Sequence, residues 1–336
     1  MIGVFYPIGA TLLFIINGLV TSRIKKYSPM LAVKTYNNDL QIFRRATRLM
    51  GSSFEISVVG NDVVWAGNCI EIGIAEVIRV EKMLSAFNDD SLINEINRNA
   101  GKKPVKVNAE IFRLVERSLN ISELTQGTFD ITYNTAYKNA EEKPARKTAK
   151  LANYKKVILD AEKTTVFLKE KGMRLGFGAI SRGYAADRAK YILQMNGVAS
   201  GIINSGGDLL TWGLAPGNEP WTIATADPAQ DGQPYSGINI SNMSVATSGN
   251  IEKDATLGTP KYLQNVDAKK GFPVSMLKSV SIVSPTAELS DAMATPIMMM
   301  GVNAGLYLIN QLQQLACFIV DDHDRVYTSK EINYLA

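Results

Sequence analysis

From Leu175 onward, glycine-bearing turns separate strand patterns from helix patterns so regularly that few architectures are open to the chain. The loop Leu175–Gly183 enters a helical pattern over Tyr184–Met195, which stops at Asn196-Gly197. A strand at Gly201–Asn204 runs into Ser205-Gly206-Gly207-Asp208 and then Leu209–Gly213. Further strands are predicted near Trp221–Thr225, Ile238–Ile240, Ser244–Thr247 and Ser279–Val283. Helical stretches follow at Ser290–Met300 and Ala304–Leu315, then a closing hairpin over Cys317–Thr328. The first half adds a strand at Phe54–Val59, helices over Val63–Phe87 and Ala109–Thr125, and a hairpin from Tyr154–Asp160 to Thr164–Lys169. Mixed strands and helices with several antiparallel pairs imply an α+β fold.

The N-terminus departs from this pattern. Met1–Val20 is almost entirely apolar and uncharged, and Arg23, Lys25 and Lys26 follow it. Such a stretch suits a membrane span or the hydrophobic region of a signal peptide, with a buried N-terminal helix as the alternative. The organisation read here is a signal or anchor over residues 1–22, a linker over 23–44 and a folded domain over 45–336. Nothing after residue 20 reads as apolar enough to span a membrane. Lys138–Lys156 reads as a charged, solvated excursion.

Composition removes several function classes. The net charge of +4 is too weak and too dispersed to argue for nucleic acid, although it suits an anionic ligand. A single histidine, His323, excludes multi-histidine metal centres, and it lies in an expected turn, Asp321-Asp322-His323-Asp324. Cys69 and Cys317 fall in apolar runs and read as buried thiols.

Individual motifs are ambiguous. Gly176-Phe177-Gly178 with Gly183 fails the dinucleotide fingerprint, and Tyr184-Ala185 stand where a P-loop needs Lys and Ser/Thr. What survives is a loop that aims backbone N–H groups and Arg182 at a helix N-terminus, where an anion can sit. Gly206-Gly207 permits either close backbone approach to a ligand or a tight turn. Ala246–Asn250 reads as an ordinary turn. Asp291 and Thr295 share a helical face at i, i+4 and are hard oxygen donors suited to Mg2+, unless Asp291 merely occupies a helix first turn.

Taken in order, these segments resemble the FAD:protein FMN transferases, the ApbE-type family. The resemblance rests on Leu49-Met50-Gly51-Ser52-Ser53-Phe54-Glu55-Ile56, Phe87-Asn88-Asp89-Asp90-Ser91 with Asn97, and Gly127-Thr128-Phe129-Asp130. It continues through Phe177–Tyr184, Asn204–Asp208, Thr247-Ser248-Gly249 and Asp291–Thr295.

The resemblance implies an ApbE-like fold and Mg2+-dependent transfer of the FMN half of FAD to a Ser or Thr hydroxyl, with release of AMP. Asp291, Thr295 and the backbone carbonyl of Ala179 would hold Mg2+. Met50, Phe87, Thr128, Phe129, Asp130, Gly176, Arg182 and Asn265 would hold FAD. The acceptor it implies is a flavoprotein subunit of a membrane redox complex, and the expected location is membrane-associated or exported, on the extracytoplasmic side.

Four positions depart from the family pattern. Arg182 replaces Lys or Glu, Gly176 an Asp or Asn, and Asn250 an acidic residue, while Gln264 stands where the family carries a histidine. Glutamine cannot take a proton at neutral pH, so Asp267 or a metal-ordered water would have to, and two rivals stay open. One is an FAD-binding relative without transfer; the other is a pyrophosphatase giving FMN and AMP.

Overall fold

The computed structural model describes residues 12–13, 32–35, 40–86, 88, 90–132, 151–226, 234–249 and 277–330. Its strands are β1 (Leu12–Leu13), β2 (Ala32–Thr35), β3 (Gln41–Leu49), β4 (Ser52–Gly60), β5 (Val105–Lys106), β6 (Val157–Asp160), β7 (Thr165–Leu168) and β8 (Gly201–Ser205). They continue as β9 (Asp208–Trp212), β10 (Thr222–Ala226), β11 (Pro234–Asn239), β12 (Ser244–Gly249), β13 (Leu277–Ser284), β14 (Ala316–Asp321) and β15 (Val326–Thr328). The helices are α1 (Val63–Leu84), α2 (Leu92–Arg98), α3 (Ala109–Leu124), α4 (Ser181–Met195) and α5 (Ala287–Ile309).

The chain divides into two compact units: Met1–Ile78, Arg182–Lys261 and Met276–Ala336 form the first, and Arg79–Ser181 with Tyr262–Ser275 the second. A single domain from residue 45 was expected, so the inserted second unit is a feature the sequence does not announce.

The first unit is organised by a nine-stranded sheet of order β15-β14-β13-β12-β9-β8-β4-β3-β2. Its central strands carry apolar side chains on both faces, with Phe54, Ile56, Val58 and Ile203 fully buried. On one face Ile42, Ile202, Leu209, Val245 and Val283 pack with Trp221, Ile223 and Ile240. Both buried tryptophans satisfy their indole N–H groups: Trp212 donates to the Val198 carbonyl at 3.0 Å and Trp221 to the Trp212 carbonyl at 3.1 Å. Leaving such a donor unpaired would cost about 1–3 kcal/mol.

Helix α5 lies against β12 and β13. It is long and apolar enough by composition to cross a membrane, contrary to the sequence expectation. Its backbone breaks at Gly301 (φ 78°, ψ 178°), and residues Ala292–Ala294, Ile297 and Met298 are buried within the unit, so it is a core helix in two pieces. That break is the gap expected between Met300 and Ala304.

Two further differences concern the N-terminal part. β3 begins at Gln41, inside the stretch expected to be a linker, and pairs along its whole length with β4. Within the apolar N-terminal run, Leu12–Leu13 pair as a short strand with β10 rather than forming a helical turn.

In the second unit, β5-β7-β6 make a three-stranded sheet. α2 and α3 start at side-chain caps: Ser91 accepts from the Asn94 N–H at 3.1 Å and Asn108 from the Ile111 N–H at 2.8 Å. Its buried core includes Ile93, Ile96, Ile111, Leu114, Val166 and Leu168.

Candidate active site

Hairpin geometry gathers the first unit's motifs at one end of the large sheet. Met50 (φ 50°) and Gly51 (φ 76°) form a two-residue turn between β3 and β4, and Gly206 (φ 69°) and Gly207 (φ 104°) form one between β8 and β9. Positive φ at both central residues defines type I′ turns, the tight hairpins that glycine makes cheaply. Because β4 and β8 are bonded neighbours, the two tips lie side by side, and the Gly206 N–H donates to the Ser53 carbonyl at 2.8 Å.

Asp208 opens β9 beside these tips. Its Oδ1 accepts the Thr247 N–H at 2.9 Å, which ties it to the end of β12. The Thr247-Ser248-Gly249 segment is therefore not the turn expected from composition but strand, in register with Ser279–Ser281 of β13. The Thr247 and Ser281 hydroxyls lie 2.8 Å apart, and those of Ser248 and Thr295 lie 3.1 Å apart.

Asp291 is buried, with 8% of its side chain exposed. It is the fifth residue of α5, beyond the first turn, which removes the macrodipole explanation for its position. Its Oδ2 instead accepts the Gly183 N–H at 3.0 Å, one of the donors that the start of α4 cannot satisfy itself. Asp187 of α4 returns the favour structurally, accepting the Ala287 N–H at 3.0 Å and the Glu288 N–H at 2.8 Å from the first turn of α5. Each helix thus carries the carboxylate that caps the other. Gly183 permits the approach, since a Cβ there would sit 2.1 Å from the Ala287 carbonyl oxygen.

Burial sets the electrostatics of this pair. It pushes the Asp291 carboxyl above its ordinary range, against the opposing pull of the Arg182 guanidinium and the Gly183 N–H. It pushes Asp187 up to about 6, with the two accepted N–H groups pulling the other way. Arg182 stands between acids: its Nη2 is 3.6 Å from Asp208 Oδ2 and 3.6 Å from Asp291 Oδ1.

The donors assembled here, from Asp208, Ser248, Asp291 and Thr295, are hard oxygens within one unit. That donor chemistry fits Mg2+ and does not fit a metal that prefers sulfur or imidazole. Among the described residues the only group of three His, Cys, Asp or Glu side chains close enough to share one ion is Asp321, Asp322 and His323. It is the expected β14–β15 turn, where Asp321 is engaged by Arg325 and Tyr327, and His323 Nδ1 lies 2.8 Å from Asp322.

In the second unit the expected flavin-contacting segments also meet. Helix α3 ends with Gln126 (φ 51°) and Gly127 (φ 78°), and the Gly127 N–H returns to the Ser122 carbonyl at 2.7 Å. Phe129 is buried, and its N–H donates to Thr125 Oγ1 at 3.0 Å. Asp130 accepts from the Thr132 N–H and hydroxyl through Oδ1 and from the Tyr154 N–H through Oδ2. Phe129 and Asp130 therefore shape the loop, while Thr128 is only partly buried. The Gly176 N–H donates to the Ile131 carbonyl at 2.9 Å, which joins this loop to the glycine-rich one.

Asn97 pins the start of the glycine-rich loop. Its amide accepts the Leu175 N–H at 2.6 Å and donates to the Leu175 carbonyl at 3.2 Å, as a neighbouring strand would. Ala179 is exposed in the same loop. Phe87, Asn250, Gln264, Asn265 and Asp267 lie outside the described residues. Asp187 and Asp208 were not singled out as site residues from sequence, because their partners are distant in the chain.

The profile of the ApbE family matches residues 50–319, which contain every described element of this arrangement. The chain belongs to the ApbE family. Among ApbE relatives, a protein of Klebsiella pneumoniae named FAD:protein FMN transferase is 27% identical over 307 residues, covering 88% of this chain and 94% of the relative. One of the same name from Treponema pallidum is 27% identical over 277 residues, covering 75% and 76%. The fold is that of the ApbE protein of Thermotoga maritima, with a TM-score of 0.76, 24% identity, and coverage of 88% of this chain and 99% of that one. The flavin transferase ApbE of Vibrio cholerae gives 0.76 at 18% identity, covering 88% and 100%.

Proposed function

We propose that this enzyme transfers the FMN half of FAD to a Ser or Thr hydroxyl of an acceptor flavoprotein, releasing AMP, with Mg2+ held by Asp291 and Thr295. The observation that carries this reading is the family's Asp-x₃-Thr helix meeting Arg182, Asp208 and Ser248 at one end of the sheet. When bound, Mg2+ would neutralise charge on the transferring phosphoryl group.

The chain's own residues do the rest. Asp291 is oriented by the Gly183 N–H on Oδ2, which leaves Oδ1, facing Arg182 at 3.6 Å, as the oxygen for the cation. The Thr128 and Gly176 segments, joined through Ile131, supply backbone for the flavin half of FAD. Arg182 offers a planar fork to a phosphate. The acceptor hydroxyl forms a bond to the FMN-side phosphorus as the bridging bond breaks, and the electron pair leaves on AMP. The hydroxyl proton goes to Asp267 or to solvent, because Gln264 cannot take it.

Incubating the purified chain with FAD, Mg2+ and a flavin-carrying subunit of a membrane redox complex tests this. The acceptor should gain the mass of a phosphoester-linked FMN, and AMP should appear in equal amount. AMP and FMN without acceptor modification would favour the pyrophosphatase. Gln264 motivates the alternative of an FAD-binding relative, which would give neither product.

The proposal extends to location. The apolar run Met1–Val20 acts as an export signal or anchor that puts the enzyme on the extracytoplasmic side. Cell fractionation finding a soluble cytosolic chain with Met1 intact would refute it.

A further inference from the structure

We propose that Arg182 is a built-in counter-cation of the metal site, held between Asp208 and Asp291 until a divalent cation displaces it and an anionic ligand receives it. This rests on the reading of Asp291 and Thr295 as Mg2+ ligands.

The geometry is that of a contact ready to be exchanged. Arg182 Nη2 is equidistant, at 3.6 Å, from Asp208 Oδ2 and Asp291 Oδ1. Both separations exceed a directed hydrogen bond, so the guanidinium balances charge without being locked by the two acids. Its Nε is buried and finds no acceptor among the described residues. A buried donor left unmatched in this way gains when the side chain moves to a partner that satisfies it. The path exists, since 36% of the Arg182 side chain is exposed, against 15% for Asp208 and 8% for Asp291.

The two acids explain why a cation is kept there. Two carboxylates shielded from water at one sheet end repel each other, and one guanidinium shared between them offsets that repulsion. A divalent cation reaching Asp291 approaches the oxygen about 2 Å away, far inside the guanidinium contact. The two positive charges then repel within a poorly screened site, so metal entry and Arg182 departure are coupled. A pyrophosphate, with its paired oxygens, matches the displaced fork. Metal alone therefore binds weakly, and metal and a pyrophosphate-bearing ligand favour each other's binding.

The test is calorimetric titration of the full chain with Mg2+ alone, with no FAD and no turnover. Arg182→Gln should bind Mg2+ about tenfold or more tightly than wild type, because the competing charge is gone. Arg182→Lys, which keeps the charge, should stay near wild type. Asp208→Asn should bind more weakly, since the guanidinium then rests on Asp291 alone. Opposite signs for the Gln and Asn variants cannot come from general misfolding, and Arg182→Met, which also removes the charge, replaces Arg182→Gln if that variant does not fold. Equal or weaker binding by Arg182→Gln, an equal gain in Arg182→Lys, unchanged binding by Asp208→Asn, or no Mg2+ binding by any form would each overturn the proposal. Acceptor flavinylation by wild type in the mass assay would then show that the transferase reading survives and only the counter-cation fails.

Discussion

Replacing Asp187 by asparagine keeps the side chain's size and removes its titration, which isolates what the reciprocal helix caps contribute. The carboxyl holds two N–H groups from the first turn of α5 and is pushed by burial from its ordinary 3.8 up to about 6. A carboxyl raised on folding binds protons more tightly in the native state. Its stabilising contribution is therefore complete below about pH 4 and is lost as pH rises through 6. The size of the rise corresponds to about 3 kcal/mol as a ceiling, reduced to the extent that Asp187 keeps contact with solvent. An asparagine oxygen can accept from only one of the two donors in good geometry, a loss of about 1–3 kcal/mol that does not vary with pH. Urea unfolding followed by circular dichroism from pH 4.5 to 7.5 should show Asp187→Asn clearly weaker than wild type at the acid end. The gap should narrow or reverse by pH 7.5. A gap that stays constant or widens with pH would refute the buried, reciprocally capping role assigned to this carboxyl.

Three other outcomes follow from the same geometry. Asp291→Asn keeps an acceptor for the Gly183 N–H, so it should abolish Mg2+-dependent flavin transfer while thermal melting changes little; a large loss of stability with normal metal dependence would contradict the site. Gly183→Ala would place a methyl against the Ala287 carbonyl and should cost about 3 kcal/mol or more in chemical denaturation, as overpacking at a backbone contact does. Gln264→His should raise the transfer rate by up to about 100-fold in a discontinuous mass assay. His323→Ala, on the exposed β14–β15 turn, should leave that rate unchanged.

What could be read in the sequence was local. Helix limits were legible near Ala109 and at Asn196-Gly197, and the break in α5 showed as a gap between two apolar stretches, whereas the short helix α2, capped by Ser91, went unread. The ordered motifs gave the family, and Asp291 and Thr295 gave the helix proposed to carry the metal site. β3 was missed because Arg44-Arg45 interrupts the alternation that marks a strand, and only its pairing with β4 makes the segment extended. The strand character of Thr247–Gly249 was missed for a related reason: small polar residues signal a turn until a neighbour such as β13 supplies partners. Asp187 and Asp208 were illegible as site residues because the groups they hold, the start of α5 and the Thr247 N–H, are brought to them by tertiary packing. Phe129 shows the reverse case, an expected flavin contact whose ring is buried and whose N–H goes to Thr125.

The direct pairing of β4 with β8 has a consequence for how a ribosome must deliver this protein. All of Arg79–Ser181 is synthesised between those two strands, so the β3–β4 hairpin emerges long before its neighbour exists. Until then β4 presents an unpaired backbone edge, flanked by Phe54, Ile56 and Val58, whose side chains are destined for full burial. A nascent edge of that kind is a template for pairing with the wrong chain. The described residues of the second unit, by contrast, all fall between Arg79 and Ser181 and can begin to pack once that stretch has left the tunnel. Slowed translation across Arg79–Ser181 should therefore raise aggregation of the emerging N-terminal hairpin, whereas slowing after Trp212, once β8 and β9 are present, should not.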